Sequence, residues 1–326
     1  MKLLKLVPDN TNIDFMRVRN VALTLSVLVT IVNLVLVGVR GLNLGIDFVG
    51  GQMVRATFTQ PVGIEDLRGQ VAALEVGEAS IQEFGDGRTY QIRLPRPPGP
   101  EAASAAVIGK VRTMLQQQYP GVNVGAGEAV SGKVSGELAR DGLLAITLAM
   151  LGVAIYIWFR FEWQFGVGAL VTLFHDVSVI LGFFAVTRLQ VDLNIVAAFL
   201  AVVGYSLNDT VVIYDRIREN LRKYRKMQIV PLLNLSLNET LSRTIVTSGS
   251  IMLALAMLLI FGPDVIFGLT AAILLGTFIG TYSSIYISAP VLVWLRVSGD
   301  SFLPNKWVLG NAERVGPRRT EDGAQV

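Results

Sequence analysis

The chain is 326 residues long, 52% hydrophobic and only 16% charged, with a mean hydropathy of +0.53. That balance excludes an ordinary soluble globular domain and reads as a polytopic membrane protein. The formal net charge of +3 says little before its distribution is known, and the absence of cysteine excludes disulfides, metal-thiolate sites and thiol chemistry.

A bilayer crossing needs about 20 apolar residues. Six windows qualify: 20–39, 141–159, 163–187, 191–214, 244–262 and 265–295. The last is long enough to tilt or to bend near Pro290. The first is too long for a secretory leader and lacks a small-residue cleavage pattern, so no cleaved signal is expected. Basic residues in short loops set the orientation. Lys2, Lys5, Arg17 and Arg19 lie in the 1–19 segment, and Arg216, Arg218, Arg222, Lys223, Arg225, Lys226 and Arg243 crowd the 215–243 loop. Both termini, including the polar 296–326 tail, and the 215–243 loop are therefore predicted to be cytoplasmic. The Arg188 to Asp192 turn, the Gly262-Pro263-Asp264 turn and the 40–140 segment are predicted to lie outside.

The external segment opens on Gly45-Ile46-Asp47-Phe48-Val49-Gly50-Gly51. A phosphate loop would need a following lysine and hydroxyl residue and a helix, and this stretch has neither, so nucleotide binding is rejected. Asp47 and the glycines instead read as shaping the exit from the first span. Val54, Ala56 and Phe58 alternate with Arg55, Thr57 and Thr59, which predicts a strand with one buried face. Ile64, Leu67, Val71 and Leu74 recur at helical spacing. A weaker strand at 81–84 leads through Gly85-Asp86-Gly87-Arg88, a hairpin signal, into a strand with Tyr90, Ile92 and Leu94 on one face. Past Pro95-Arg96-Pro97-Pro98-Gly99-Pro100, a helix carries Ala105, Ile108, Val111 and Leu115, and a last strand is predicted near 122–126. The order strand, helix, strand, strand, helix, strand is ferredoxin-like, which alone names no function. The expected fold class is therefore a six-helix polytopic membrane protein with one external ferredoxin-like α+β domain.

Two places put ionisable groups inside a span. His175 and Asp176 sit near the middle of the third, and Asp209 interrupts the fourth within Gly204-Tyr205-Ser206-Leu207-Asn208-Asp209-Thr210. An aspartate near a helix centre costs roughly 2.5 to 3.5 kcal/mol on insertion scales, which makes each a functional hypothesis by default. Asp209 lies about 9 Å along the helix from Asp215, in the cytoplasmic half of the membrane. In the fifth span Arg243, Thr247 and Ser250 fall at i, i+4 and i+7, a polar stripe on an apolar helix. If it faces Asp209, the arginine favours the charged carboxylate and protonation releases the pair. The duller readings are a structural hydrogen bond for Asp209 and positive-inside anchoring for Arg243. Adjacent helical residues point about 100° apart, so only one of His175 and Asp176 is expected to face the bundle interior. Asp176 reads as a secondary relay candidate and His175 as a packing or hydrogen-bonding residue. Gly276 and Gly280 give a small-x-x-x-small contact face in the last span.

Three strings carry a family resemblance: Gly45 to Gly51, Gly204 to Thr210 with Asp215-Arg216-Ile217-Arg218-Glu219-Asn220, and Leu235-Ser236-Leu237-Asn238-Glu239-Thr240-Leu241-Ser242-Arg243-Thr244. Together they closely resemble the bacterial SecF protein-export family, within the resistance-nodulation-division superfamily, over about 1–296. The resemblance implies a subunit that pairs with SecD and uses the proton motive force to promote late steps of polypeptide export through SecYEG in the bacterial inner membrane. It also implies YajC-type and YidC-type auxiliary partners, unfolded exported polypeptide as substrate, and proton-path roles for Asp209 and Arg243. Asn208, Thr247 and Ser250 are expected to support that path. No enzymatic activity, cofactor, metal or nucleic-acid partner is expected; the coupling ion is a proton, with sodium the alternative. The basic 215–243 loop could contact anionic lipid, although topology alone explains it. The competing function is one half of a small-molecule or lipid exporter of the same superfamily, which usually carries both halves on one chain. A purely structural scaffold is disfavoured by the cost of keeping Asp209 in the membrane.

Overall fold

A computed structural model of the protein describes residues 11–77, 79–84, 87–95, 97, 101–263 and 266–297. The hairpin residues Gly85 and Asp86, most of the proline-rich breaker, Asp264, the first ten residues and the tail beyond 297 lie outside the described residues, and with them Lys2 and Lys5.

Six helices are long and apolar enough to cross a membrane. They are α1 (Arg19–Arg40), α5 (Gly132–Arg160), α6 (Trp163–Thr187), α7 (Leu193–Lys223), α8 (Ile229–Phe261), and α9 (Phe267–Ser283) continued by α10 (Ala289–Trp294). About half of the apolar windows of α6, α7 and α9 is buried, against 17% or less in α1, α5 and α8. The first three therefore form the bundle's centre. Small residues let them approach: a Cβ on Gly276 would collide with Val202 of α7, and one on Gly280 would sit 3.1 Å from Ser206. Gly182 of α6 is likewise filled by Asn33 of α1. A π-helical turn, Ser284–Ser288, separates α9 from α10, whose first turn holds Pro290. Proline cannot donate to the preceding turn, and the wider turn accommodates it.

The predicted 215–243 loop is mostly helix. α7 continues to Lys223 and α8 starts at Ile229, leaving only Tyr224 to Gln228 between them. The reason is an amphipathic extension: Ile213, Tyr214, Ile217 and Leu221 of α7 pack on Leu232, Leu233, Leu237 and Leu241 of α8. Charged residues occupy the outer faces, where Arg216 bridges Glu219 and Glu239 at 2.7 Å each. The chain before α1 docks here too. Phe15 and Met16 join the cluster, and Asn234 and Asn238 of α8 accept from the Met16 and Ile13 backbone N–H groups.

The domain between α1 and α5 contains β1 (Gly51–Thr57), α3 (Ile64–Ala72), β2 (Ser80–Phe84), β3 (Thr89–Leu94), α4 (Glu101–Gln118), β4 (Asn123–Val124) and β5 (Glu128–Val130). The antiparallel sheet runs β2-β3-β1-β4, the ferredoxin-like order. Val54, Ala56, Tyr90, Ile92 and Leu94 turn one face to Leu67, Val71, Val111 and Leu115. One element is additional. β5 pairs with the first half of β1, Gly51 opposite Val130, while β4 pairs with the second half. Gly125 and Gly127 break the returning strand in two, which leaves segments too short for a periodicity argument.

The domain is tied to the bundle at its base. A short helix, α2 (Ile46–Val49), precedes β1. Leu44 forms a parallel bridge with Val191, in the turn between α6 and α7. The Gly45 N–H donates to Val191 O at 2.7 Å, and the Val191 N–H to Asn43 O at 2.8 Å. Arg93 of β3 donates to Asn43 Oδ1 and Leu44 O. Asp47 Oδ2 accepts from the Leu193 N–H at 3.0 Å, so it caps the first residue of α7. Asp192 caps the same helix through Ile195, and its carboxyl is pushed up chiefly by burial, with the negative charge of Asp47 adding to the effect. Gly50 and Gly51 hold φ of 72° and 124°, in the left-handed region that favours glycine, as the chain turns into β1.

Candidate functional site

The buried face of α7 reads Val202, Ser206, Asp209, Thr210, Ile213, Tyr214 and Ile217, a stripe at three- and four-residue spacing. Asp209 is only 6% exposed, so the carboxyl lies in the protein interior and not toward lipid. Its Oδ2 accepts a hydrogen bond from Ser248 Oγ of α8 at 2.8 Å. Arg243, on the same helix as Ser248, is exposed. No ion pair within 4.0 Å joins it to Asp209 among the described residues.

Asp176 comes from α6. It is 1% exposed, and its Oδ2 accepts from Ser206 Oγ of α7 at 2.5 Å and from Ser283 Oγ of α9 at 2.9 Å. Its Oδ1 is buried without a partner. A carboxyl held only by neutral hydroxyls contrasts with the ion-paired carboxylates at the charged end of the bundle, such as Asp215 with Arg160. His175 turns the other way, toward α1, where Nδ1 shares a hydrogen bond with Thr30 Oγ1 at 3.0 Å. The 100° separation thus divides the pair: the acid faces α7 and α9, and the imidazole faces α1.

Beside Asp209 lies a small cavity of about 20 Å³ lined by Ser206, Asp209, Thr247, Ser248, Thr277 and Gly280 among others. It is large enough for a single water. Ser206 and Asp209 are three residues apart, about 4.5 Å along the helix, and share this lining.

The expected polar stripe on α8 needs one correction. Thr247 lines the cavity, although its hydroxyl bonds back to Arg243 O. Ser250 does not reach the site; it is exposed and donates to Val246 O. The residue that meets Asp209 is Ser248, at the end of a parallel stripe of Ser236, Thr240, Thr244 and Ser248, all buried. That stripe at strict four-residue spacing was the available signal. Two stripes one residue apart on a helix apolar nearly all round differ only by rotation. Asn208 is exposed beside Asp209 and lines the same cavity.

Comparison with known proteins places this geometry. The family model described as protein export membrane protein SecD/SecF, C-terminal, matches residues 110–298, and the SecD/SecF GG motif matches residues 35–62, the stretch that ties α1 to β1. The protein translocase subunit SecF of Cereibacter sphaeroides is 43% identical over 90% of this chain and 93% of its own length. That of Pseudomonas aeruginosa is 42% identical over 90% and 94%. A crystal structure of SecDF, a translocon-associated membrane protein from Thermus, superposes with a TM-score of 0.81 at 30% identity and covers 89% of this chain. This chain spans 40% of that longer one. A SecDF structure in a super-membrane-facing form gives 0.64 at 31% identity. By near-full-length identity and by fold, the chain belongs to the SecF family of protein translocase subunits, as a multi-pass membrane protein.

Proposed function

We propose that this protein is a proton-driven export subunit that acts with a SecD-type partner, at the outer face of the bacterial inner membrane, on polypeptide emerging from the SecYEG channel. The observation that carries the reading is Asp209, an aspartate held in the bundle interior by a serine hydroxyl, on the helix whose far end is capped by Asp47 at the base of the external domain. Protonation of Asp209 removes its attraction to Arg243 and alters the contact between α7 and α8. Because α7 is bonded to the domain base, a shift of that helix is delivered to the domain. One charge crossing 100 mV is worth about 2.3 kcal/mol, enough to bias a two-state element roughly fiftyfold. The termini and the charged ends of α7 and α8 then lie on the cytoplasmic side, following the basic residues. A SecD-type half fits the remaining length of the SecDF chain, and the outward faces of α1, α5 and α8 are apolar surface for that half and for lipid.

The test is proton uptake into vesicles holding the co-reconstituted pair, read with an entrapped pH indicator. Wild type is expected to admit protons and Asp209→Asn to admit none. Uptake unchanged in the variant contradicts the reading, and stimulation by a sodium gradient alone replaces the proton with sodium.

A further inference from the structure

We infer that Asp176 is a second proton-holding carboxyl, linked to Asp209 through Ser206, which bonds Asp176 and lines the small cavity beside Asp209. The inference rests on the reading of Asp209 as the proton-carrying residue and extends it by one station toward the external face. α6 and α7 run in opposite directions, and Asp176 bonds Ser206, which precedes Asp209 by one helical turn on the external side. A proton arriving from outside therefore meets the level of Asp176 first.

The contacts suit a relay. Ser206 Oγ lies 2.5 Å from Asp176 Oδ2 and also lines the cavity that Asp209 lines, so one rotatable hydroxyl reaches both stations. Ser283 Oγ, at 2.9 Å, holds the same carboxyl oxygen in place while Ser206 turns. The buried Oδ1 has no partner, which a neutral acid tolerates better than a carboxylate, and the acid proton then sits on Oδ2, against Ser206 Oγ. Room for one water completes the chain. In the transfer, the O–H bond of the Asp176 acid breaks as its proton passes to Ser206 Oγ. The serine's own proton passes to the water, and a water proton forms the new O–H bond on Asp209. One proton leaves Asp176 and one arrives at Asp209, with serine and water unchanged.

Of the neighbouring titratable groups, Tyr205 of α7 lines the cavity itself, and the others lie elsewhere in the bundle. His175 is turned to Thr30 of α1, the Tyr282 hydroxyl of α9 bonds toward Ser26 and Ala22 of α1, and Tyr214 of α7 lies against Gly168 of α6. Arg243 of α8 stands beyond Asp209 from Asp176. The second station is therefore distinct from the aspartate-arginine pair, and a structural serine clamp is the reading it competes with.

Infrared difference spectra between acidic and alkaline pH, taken on the pair reconstituted in vesicles, separate these cases. Two carboxylic-acid bands are expected in wild type. Asp209→Asn removes one, and Asp176→Asn, which keeps an acceptor oxygen for both serines, removes the other while the partner still co-purifies. Retention of every acid band in Asp176→Asn overturns the proposal. Loss of no band in Asp209→Asn instead overturns the reading beneath it. Ser206→Ala removes only a hydroxyl and introduces no bulk against Gly280. It is expected to keep both bands and to abolish the gradient-driven proton uptake; unchanged uptake in Ser206→Ala overturns the bridge.

Discussion

At the scale of single residues, the choice between Ser248 and Ser250 separates position from polarity. Both are serines on α8 two residues apart, and only Ser248 touches Asp209. Hydrogen bonds between membrane helices average about 0.6 kcal/mol, too little to decide assembly. Ser248→Ala is therefore expected to leave the complex intact and to reduce gradient-stimulated export, whereas Ser250→Ala changes neither. Equal effects of the two variants in a vesicle export assay would contradict the geometry. Asp209 itself was legible in the sequence because a carboxyl in an apolar helix is rare and costly. Its partner was not, because serine disturbs hydropathy little, and only the rotation of α8 decides which hydroxyl faces inward. The division of His175 from Asp176 followed from helical geometry, but which of the two faced α7 needed the packing.

At the scale of elements, the long spans and the strands of the external domain were readable, since a buried face repeats every two residues in β1 and β3. β5 was not, because three residues between glycines carry no period. The ends of α7 and α8 were missed for a related reason: their helical stripe continues beyond the bilayer under a dense cover of arginine. Two predictions belong here. Gly280→Val would place branched carbon where a Cβ already approaches Ser206 at 3.1 Å. It is expected to lower the thermal midpoint in detergent, whereas Gly109→Ala in α4, with open space around it, raises domain stability by up to about 1 kcal/mol. Asp192 offers a test of its cap. Its carboxyl is raised by burial, so the folded state holds the proton more tightly than the unfolded one. The resulting cost is absent below the unfolded value and grows as pH rises through the folded value. Asparagine caps a helix as well as aspartate and carries no charge. Asp192→Asn should thus match or exceed wild-type stability at neutral pH and flatten its rise on mild acidification, while Asp192→Ala loses about 1 kcal/mol. Thermal unfolding at the two pH values reads both, and a destabilising Asp192→Asn contradicts the account.

At the scale of the whole molecule, three central helices hold the two buried carboxyls, three outer helices present apolar surface, with α8 also supplying Ser248 to Asp209, and one junction joins bundle to domain. The absence of native cysteine permits a direct test of that junction. Leu44 and Val191 are bridge partners, so Leu44→Cys with Val191→Cys should form a disulfide without moving the backbone far. If the base of the domain and α7 move together, the cross-linked protein keeps its gradient-stimulated export. Loss of stimulation that returns on reduction would place the hinge within the junction itself. The central claim, that Asp209 couples proton entry to export, is tested most directly by following a secreted protein into vesicles that carry this chain and its SecD-type partner, with and without a proton gradient. The account predicts that Asp209→Asn assembles normally, retains gradient-independent export and loses the gradient-dependent increment. An increment equal to that of wild type would show Asp209 to be structural and contradict the account.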